Sequence, residues 1–295
     1  MFYTLYGQTV DSKVPLDSFG IKRTNHHSLS DSIQLEYIYY PDVEFKEYIN
    51  HQTQLNKEYG YYFIENIALF EVFNGKKIVI KYFNKIDNDL IHSLLNYPFA
   101  ILFNQRRKYV IHASSVVFEN KVFCFCGKTQ SGKSSLASYL IKMGGSLISE
   151  DTCVFDFSES FPKIFPSYNF IKISDEVNKY KNIHFFDPII FKNKSSDRKG
   201  YILDSQQFFS KKTKVDYFIY LEWSSDSTNL IKLNNARSLS MLLSNEFASF
   251  SEYNASSNFK SASKLVNQAE HFLYKRKKNL KTLDQFINIF SKKFL

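Results

Sequence analysis

The feature that most constrains this chain is the octapeptide Gly127-Lys128-Thr129-Gln130-Ser131-Gly132-Lys133-Ser134. Its spacing is that of a phosphate-binding loop, and each fixed position has a physical reason. Gly127 and Gly132 permit a tight backbone path, so successive N–H groups and the N-terminus of the next helix point at one place, where the positive end of the helix dipole favours an anion. A lysine at 133 reaches the β and γ phosphates of a nucleoside triphosphate such as ATP, and the Ser134 hydroxyl coordinates the Mg2+ that bridges them. The motif requires a strand before it and a helix after it. Val122 to Cys126 is an apolar run that enters the loop directly, and Ser134 to Met143 reads as the helix, with Gly144-Gly145 able to end it. The nucleotide-binding set is therefore Gly127, Lys128, Thr129, Gln130, Ser131, Gly132, Lys133, Ser134 and Ser135.

Such a loop serves kinases, hydrolases, switches and transporters alike, so the neighbouring chemistry must discriminate. Glu150-Asp151 follow a short strand, Leu147 to Ser149. In a parallel sheet that strand end would lie beside the loop, where one acid can hold magnesium and the other accept a proton from an attacking hydroxyl. An acidic pair at a strand end also serves as a helix cap or a solvated turn. His112 lies on the preceding apolar strand, fifteen residues before Gly127. It reads either as a satisfied structural residue or as an imidazole that stabilises charge near phosphates.

Changes of periodicity divide the chain into an accessory α+β domain, residues 1–107, and an α/β domain, 108–295. In the first, Ala68 to Phe73 and Lys77 to Phe83 flank Asn74-Gly75, a strong hairpin turn. A helix is expected from about Asp89 to Gln105, kinked at Pro98. In the second, strands at about 169–173, 201–203 and 215–222 alternate with helices near 175–182, 236–246, 258–275 and 282–293. The 30 Phe and 20 Tyr point to thick cores. A formal charge of +9 would suit nucleic acid, but the lysines are spread along the whole chain, which reads as a solvated surface. The start, Met1-Phe-Tyr-Thr-Leu-Tyr, lacks a basic segment followed by an apolar core, and no run reaches membrane-span length, which predicts a cytoplasmic protein with no membrane partner. Cys124 and Cys126 alternate within one strand and read as buried thiols rather than a disulfide or a zinc site.

Ile111-His112-Ala113-Ser114-Ser115, the phosphate loop, and Leu147-Ile148-Ser149-Glu150-Asp151 together resemble the HPr kinase/phosphorylase family and its shorter relatives. The likeness is strongest over residues 109–157. Residues 1–20, with Tyr6-Gly7 and Val14-Pro15-Leu16, are similar to the start of kinase-like relatives that tailor ribosomally made peptides. The resemblance implies a P-loop fold related to phosphoenolpyruvate carboxykinase, and ATP-dependent transfer of phosphate to a hydroxyl, most often a serine of a peptide or small protein. It implies that Glu150 is the general base, Asp151 and Ser134 the magnesium ligands and His112 a phosphate-site histidine. Symmetric homo-oligomers are implied too. Glu150 stands where the family has aspartate, which moves the carboxylate by about 1 Å. The family's Arg-Gly signature is not recognisable, and Arg198-Lys199-Gly200 is the nearest basic stretch, in which Arg198 or Lys199 would close over the phosphates unless the stretch is a surface turn. Rival readings are a small-molecule hydroxyl kinase, a nucleotide-binding regulator with vestigial chemistry and, on charge alone, a nucleic-acid binder.

Overall fold

Asn74 and Gly75 adopt φ of 51° and 62°, both left-handed, and with Lys76 they form the tight connection that sets Phe73 opposite Lys77 in the N-terminal sheet. A computed structural model describes residues 1–25, 32–40, 53–181, 183, 188–191, 198–225, 228–249 and 251–294 of the 295-residue chain. The first sheet contains β1 (Phe2–Leu5), β2 (Gln8–Ser12), β3 (Ile33–Tyr39), β4 (Thr53–Leu55), β5 (Tyr59–Ile64), β6 (Ala68–Phe73) and β7 (Lys77–Tyr82). Its spatial order is β1-β2-β3-β7-β6-β5-β4.

The single helix expected from Asp89 to Gln105 is two, α1 (Asn88–Leu95) and α2 (Tyr97–Gln105). Pro98 sits in the first turn of α2, where its missing N–H costs nothing, so the chain restarts there instead of kinking. The break falls on Asn96, with φ −104° and ψ −100°. Asp87 caps α1 by accepting a hydrogen bond from the Leu90 N–H.

The second sheet is built from β8 (Tyr109–Phe118), β9 (Lys121–Cys126), β10 (Ser146–Ser149), β11 (Thr152–Asp156), β12 (Lys163–Ile164), β15 (Tyr217–Trp223), β16 (Asn229–Lys232) and β17 (Glu270–Arg276). A separate antiparallel pair, β13 (Phe170–Ser174) and β14 (Arg198–Ile202), stands beside it. The helices are α3 (Lys133–Lys142), α4 (Asp175–Lys181), α5 (Asn235–Ser244), α6 (Ser251–Gln268) and α7 (Lys281–Phe294). Of the expected helix at 175–182, residue 182 lies outside the described residues.

The main order is β12-β11-β8-β9-β15-β17-β16, and only β9, β15 and β17 run parallel. The sheet is thus mixed, where a parallel one was expected around the acidic pair. β10 and β11 both pair antiparallel with β8, β10 against Ser115 to Val117 and β11 against Tyr109 to His112. They are one strand interrupted at Glu150-Asp151.

A second correction concerns the helix expected at 258–275. The helix ends at Gln268, and residues 270–276 form β17, an interior strand between β15 and β16. His271, Phe272, Leu273 and Tyr274 are all buried, because an interior strand covered on both faces has no polar side. Such a run lacks the alternation that marks a strand, so periodicity does not separate it from helix.

Two apolar clusters cover the faces of the second sheet. One includes α3 and α7 residues with Phe123 and Phe125; the other includes Ile111, Cys124, Leu242 and Leu265. Aromatic rings pack on one another here: Phe290 of α7 meets Phe123 with ring centroids 4.5 Å apart, and Phe286 and Phe294 extend the group of tilted rings. A third cluster joins β1, β6, β7, α1 and α2 to Val110, Val154 and Phe170, so apolar packing runs without interruption across position 107. All three cysteines are buried free thiols. No described helix is long and apolar enough to cross a membrane.

Candidate active site

β9 delivers its C-terminal end into the loop at Gly127, whose φ is 143°. A Cβ there would lie 2.8 Å from the Leu221 carbonyl oxygen of the neighbouring β15, which explains the need for glycine. The Gly127 N–H donates to Asn245 Oδ1 at 2.8 Å, and the Asn245 carbonyl accepts from the His112 N–H at 2.9 Å. One asparagine after α5 thereby ties the loop to β8.

At the other end Gly132 has φ 95°, and an added Cβ would come within 1.9 Å of Nη2 of Arg276. Arg276, at the end of β17, donates through Nη2 to the Ser131 carbonyl at 2.9 Å and through Nη1 to Thr282 Oγ1 at 2.9 Å. Gly132→Ala is therefore expected to weaken nucleotide uptake roughly tenfold or more, because backbone strain and the displaced guanidinium both disturb the loop. Calorimetric titration of ATP into the variant is the check.

Lys133 opens α3 and is buried, its Nζ donating to the Gly127 carbonyl at 2.9 Å and the Lys128 carbonyl at 3.2 Å. Burial lowers its pKa, and Asp151 and Glu150 counter only part of that effect. Those two acids occupy the interruption between β10 and β11. Asp151 has φ 58°, a conformation aspartate tolerates better than most side chains, and the kink sends consecutive residues to different places.

Asp151 is half-buried and lines a cleft of about 1300 Å³ together with the whole loop from Gly127 to Ser134. Glu150 lies behind that wall, 4% exposed, and neither carboxylate oxygen has a hydrogen-bond partner. Burial first, and then the Asp151 charge, push Glu150 up to about 8, against the pull of the nearby Ser134 and Ser114 hydroxyls. Asp151 goes the other way: burial raises it, but His112, His92, Lys133 and Arg198 outweigh burial and hold it below its ordinary value. The expected arrangement had Glu150 facing an attacking hydroxyl and Asp151 the metal; the geometry puts Asp151 at the cleft surface and Glu150 against Ser134.

A buried carboxyl with two orphaned oxygens next to the Ser134 hydroxyl is the donor set that a hard divalent cation such as Mg2+ completes. Without a cation the ionised form is penalised. The folded-state pKa of about 8 exceeds the ordinary 4.5, so stability is full below 4.5 and is lost as pH rises toward 8. Glu150→Gln should leave the metal-free melting temperature unchanged near pH 4 and raise it at about pH 9, by the equivalent of a few kcal/mol. Thermal melts in chelator at the two pH values read this directly.

His112, in β8 opposite Thr152, lines the cleft. Its Nδ1 lies 3.0 Å from the Asp151 carbonyl oxygen, its ring is 4.9 Å from Phe247, and burial keeps its pKa low despite Asp151. Arg198 also lines the cleft, whereas Lys199 turns away to an ion pair with Asp175 at 3.0 Å. Ser135 is not on the cleft wall.

Several wall residues carried no signal in the sequence. Asn96 at the helix break donates to Asp151 Oδ2 at 3.4 Å and accepts from Thr152 Oγ1 at 3.2 Å. His92 is pushed down to about 4 by burial and by Lys172, against the attraction of Asp151. Asn245 and Arg276 meet the loop from 118 and 145 residues away, and no local pattern marks such partners. The cleft's far wall, Tyr62, Ile64 and Tyr97, comes from the N-terminal sheet and helices.

No protein-family model matches the chain, and no curated protein matches it. Among solved structures it is similar to the Hpr(Ser) kinase/phosphatase from Coxiella burnetii, with 12% sequence identity and a TM-score of 0.36 over 62% of this chain and 88% of that one. At that distance the relationship is structural and remote, and it carries no argument about activity.

Proposed function

We propose that the protein is an ATP-dependent phosphotransferase that moves the γ phosphate to a hydroxyl, the acceptor being a serine of a peptide or small protein. The observation that carries this reading is the meeting, in one cleft, of the glycine-bounded loop 127–134 with the Asp151 carboxylate at the surface and the unsatisfied Glu150 carboxyl behind Ser134. Size supports it as well. Pockets for one small ligand run roughly 300–1,000 Å³; a cleft of about 1300 Å³ has room for a nucleotide and a second reactant.

Residues 127–134 hold the triphosphate by backbone N–H groups and the α3 N-terminus. Lys133 leaves its carbonyl partners for the β and γ oxygens. Ser134, with Glu150 behind it, would hold Mg2+, which would supply neutralisation of the charge on those phosphates. Asp151 accepts the acceptor's proton as its oxygen attacks phosphorus in line and the bond to the β-phosphate oxygen breaks. His112 and Arg198 face the same space and stabilise the transferring group's charge. Asn96 fixes the Asp151 carboxylate. The aromatic and aliphatic far wall suits a peptide chain better than a small polar alcohol, although a small-molecule acceptor remains the rival. Incubation with γ-labelled ATP and serine-containing peptides should yield phosphoserine. Label recovered only as inorganic phosphate, or only on small alcohols, would refute the peptide assignment.

A further inference from the structure

The order of strand ends along the cleft gives the nucleotide a direction. Asp151 lies at the β10–β11 interruption, His112 is on β8, the phosphate loop follows β9, and Trp223 closes β15 on the opposite side of the loop. A triphosphate whose γ phosphate points toward Asp151 must therefore extend its nucleoside toward β15.

Trp223 is built to receive it. It is half-buried and lines the cleft with Met241 and Ser244 of α5. One ring face is covered by the Arg276 guanidinium, whose central carbon lies 4.1 Å from the ring centroid. Arg276 is itself 3% exposed and fixed by Thr282 and by the Ser131 carbonyl, so the ring and the loop are held at a set separation by one side chain. Trp223 and Arg276 are also register partners in the parallel β15–β17 pair. Among the described residues no second ring stacks on Trp223.

We infer that Trp223 is the nucleobase platform: a purine stacks on its cleft-side face while the Arg276 guanidinium backs the other. The inference rests on the nucleotide reading above and adds the base-binding residue and the base class. A large aromatic face favours purines over pyrimidines, because stacking grows with overlapping ring area. The backing cation polarises the indole and stiffens it, so little side-chain freedom is lost on binding.

Trp223 is the single tryptophan of the chain, so its fluorescence reports the site directly. Titration of the full-length protein with magnesium and ATP, GTP, CTP or inorganic tripolyphosphate should quench that fluorescence with the two purine nucleotides and not with tripolyphosphate. Trp223→Leu should lose roughly 10- to 100-fold in calorimetric affinity for ATP with tripolyphosphate affinity unchanged, and Trp223→Phe should retain most of the ATP affinity. Equal losses for ATP and tripolyphosphate in Trp223→Leu, with Trp223→Phe normal, would mean that the ring only braces the loop, and the platform is overturned. ATP binding without a tryptophan response overturns it too, leaving the nucleotide reading intact. Failure of the unmodified protein to bind either ATP or tripolyphosphate removes both.

Discussion

Lys133→Ala is expected to reduce ATP-dependent phosphoryl transfer by roughly 10²–10³-fold, the loss typical of one preorganised charge-stabilising donor. The lysine is buried at the first position of α3, within range of both Asp151 and Glu150. It has no surface role to lose. Its Nζ rests on the carbonyls of Gly127 and Lys128, residues that line the open cleft where water can replace the lost donor, so the variant should fold. Lys133→Arg should not rescue, since a planar fork cannot replace a compact ammonium inside so tight a loop. Single-turnover assays with labelled ATP measure the effect, and an unchanged rate would mean that the phosphates lie elsewhere.

Asp151→Asn should lower kcat by about 10²–10⁴-fold, the range for loss of a positioned general base, with ATP affinity changed only a few-fold. The substitution is chosen for its backbone. Asn tolerates φ 58° as well as Asp does, so the strand interruption survives and the effect isolates the charge. Because neighbouring cations hold the Asp151 carboxyl below its ordinary 3.8, it is ionised throughout the range above about pH 4. The kcat/KM profile of the unmodified protein should therefore show no acid limb from this group above that pH. If instead Glu150→Gln removes turnover and Asp151→Asn does not, the base is Glu150 and the proposed division of labour between the carboxylates is reversed.

Much of the site was legible in local sequence. The phosphate loop, its strand and its helix lie within about twenty residues, and the strand, turn and helix ends fall within one residue of their expected places. The Asn74-Gly75 hairpin was equally plain, because positive φ at both turn positions is a local demand. Strand β17 was read as helix because the unbroken burial of His271 to Tyr274 erased its alternation. The acidic pair was recognisable as chemistry, but which carboxylate meets the cleft was not. Adjacent side chains in an uninterrupted strand point to opposite faces; here the kink at Asp151, set by pairing of both flanking segments with β8, decides the outcome.

By itself, then, the sequence determined the form of the loop, two glycines of positive φ and a lysine between a strand end and a helix start, and the proposed phosphate cradle rests on that local form. Only the tertiary structure decided what surrounds that cradle: Asn96 and Tyr97 from a helix break, Asn245 after α5, Arg276 and Trp223 from the ends of two parallel strands. The physical reason is separation along the chain. These partners are brought together by sheet order and core packing, which depend on the burial of many apolar residues at once, and no short window of sequence encodes such a sum.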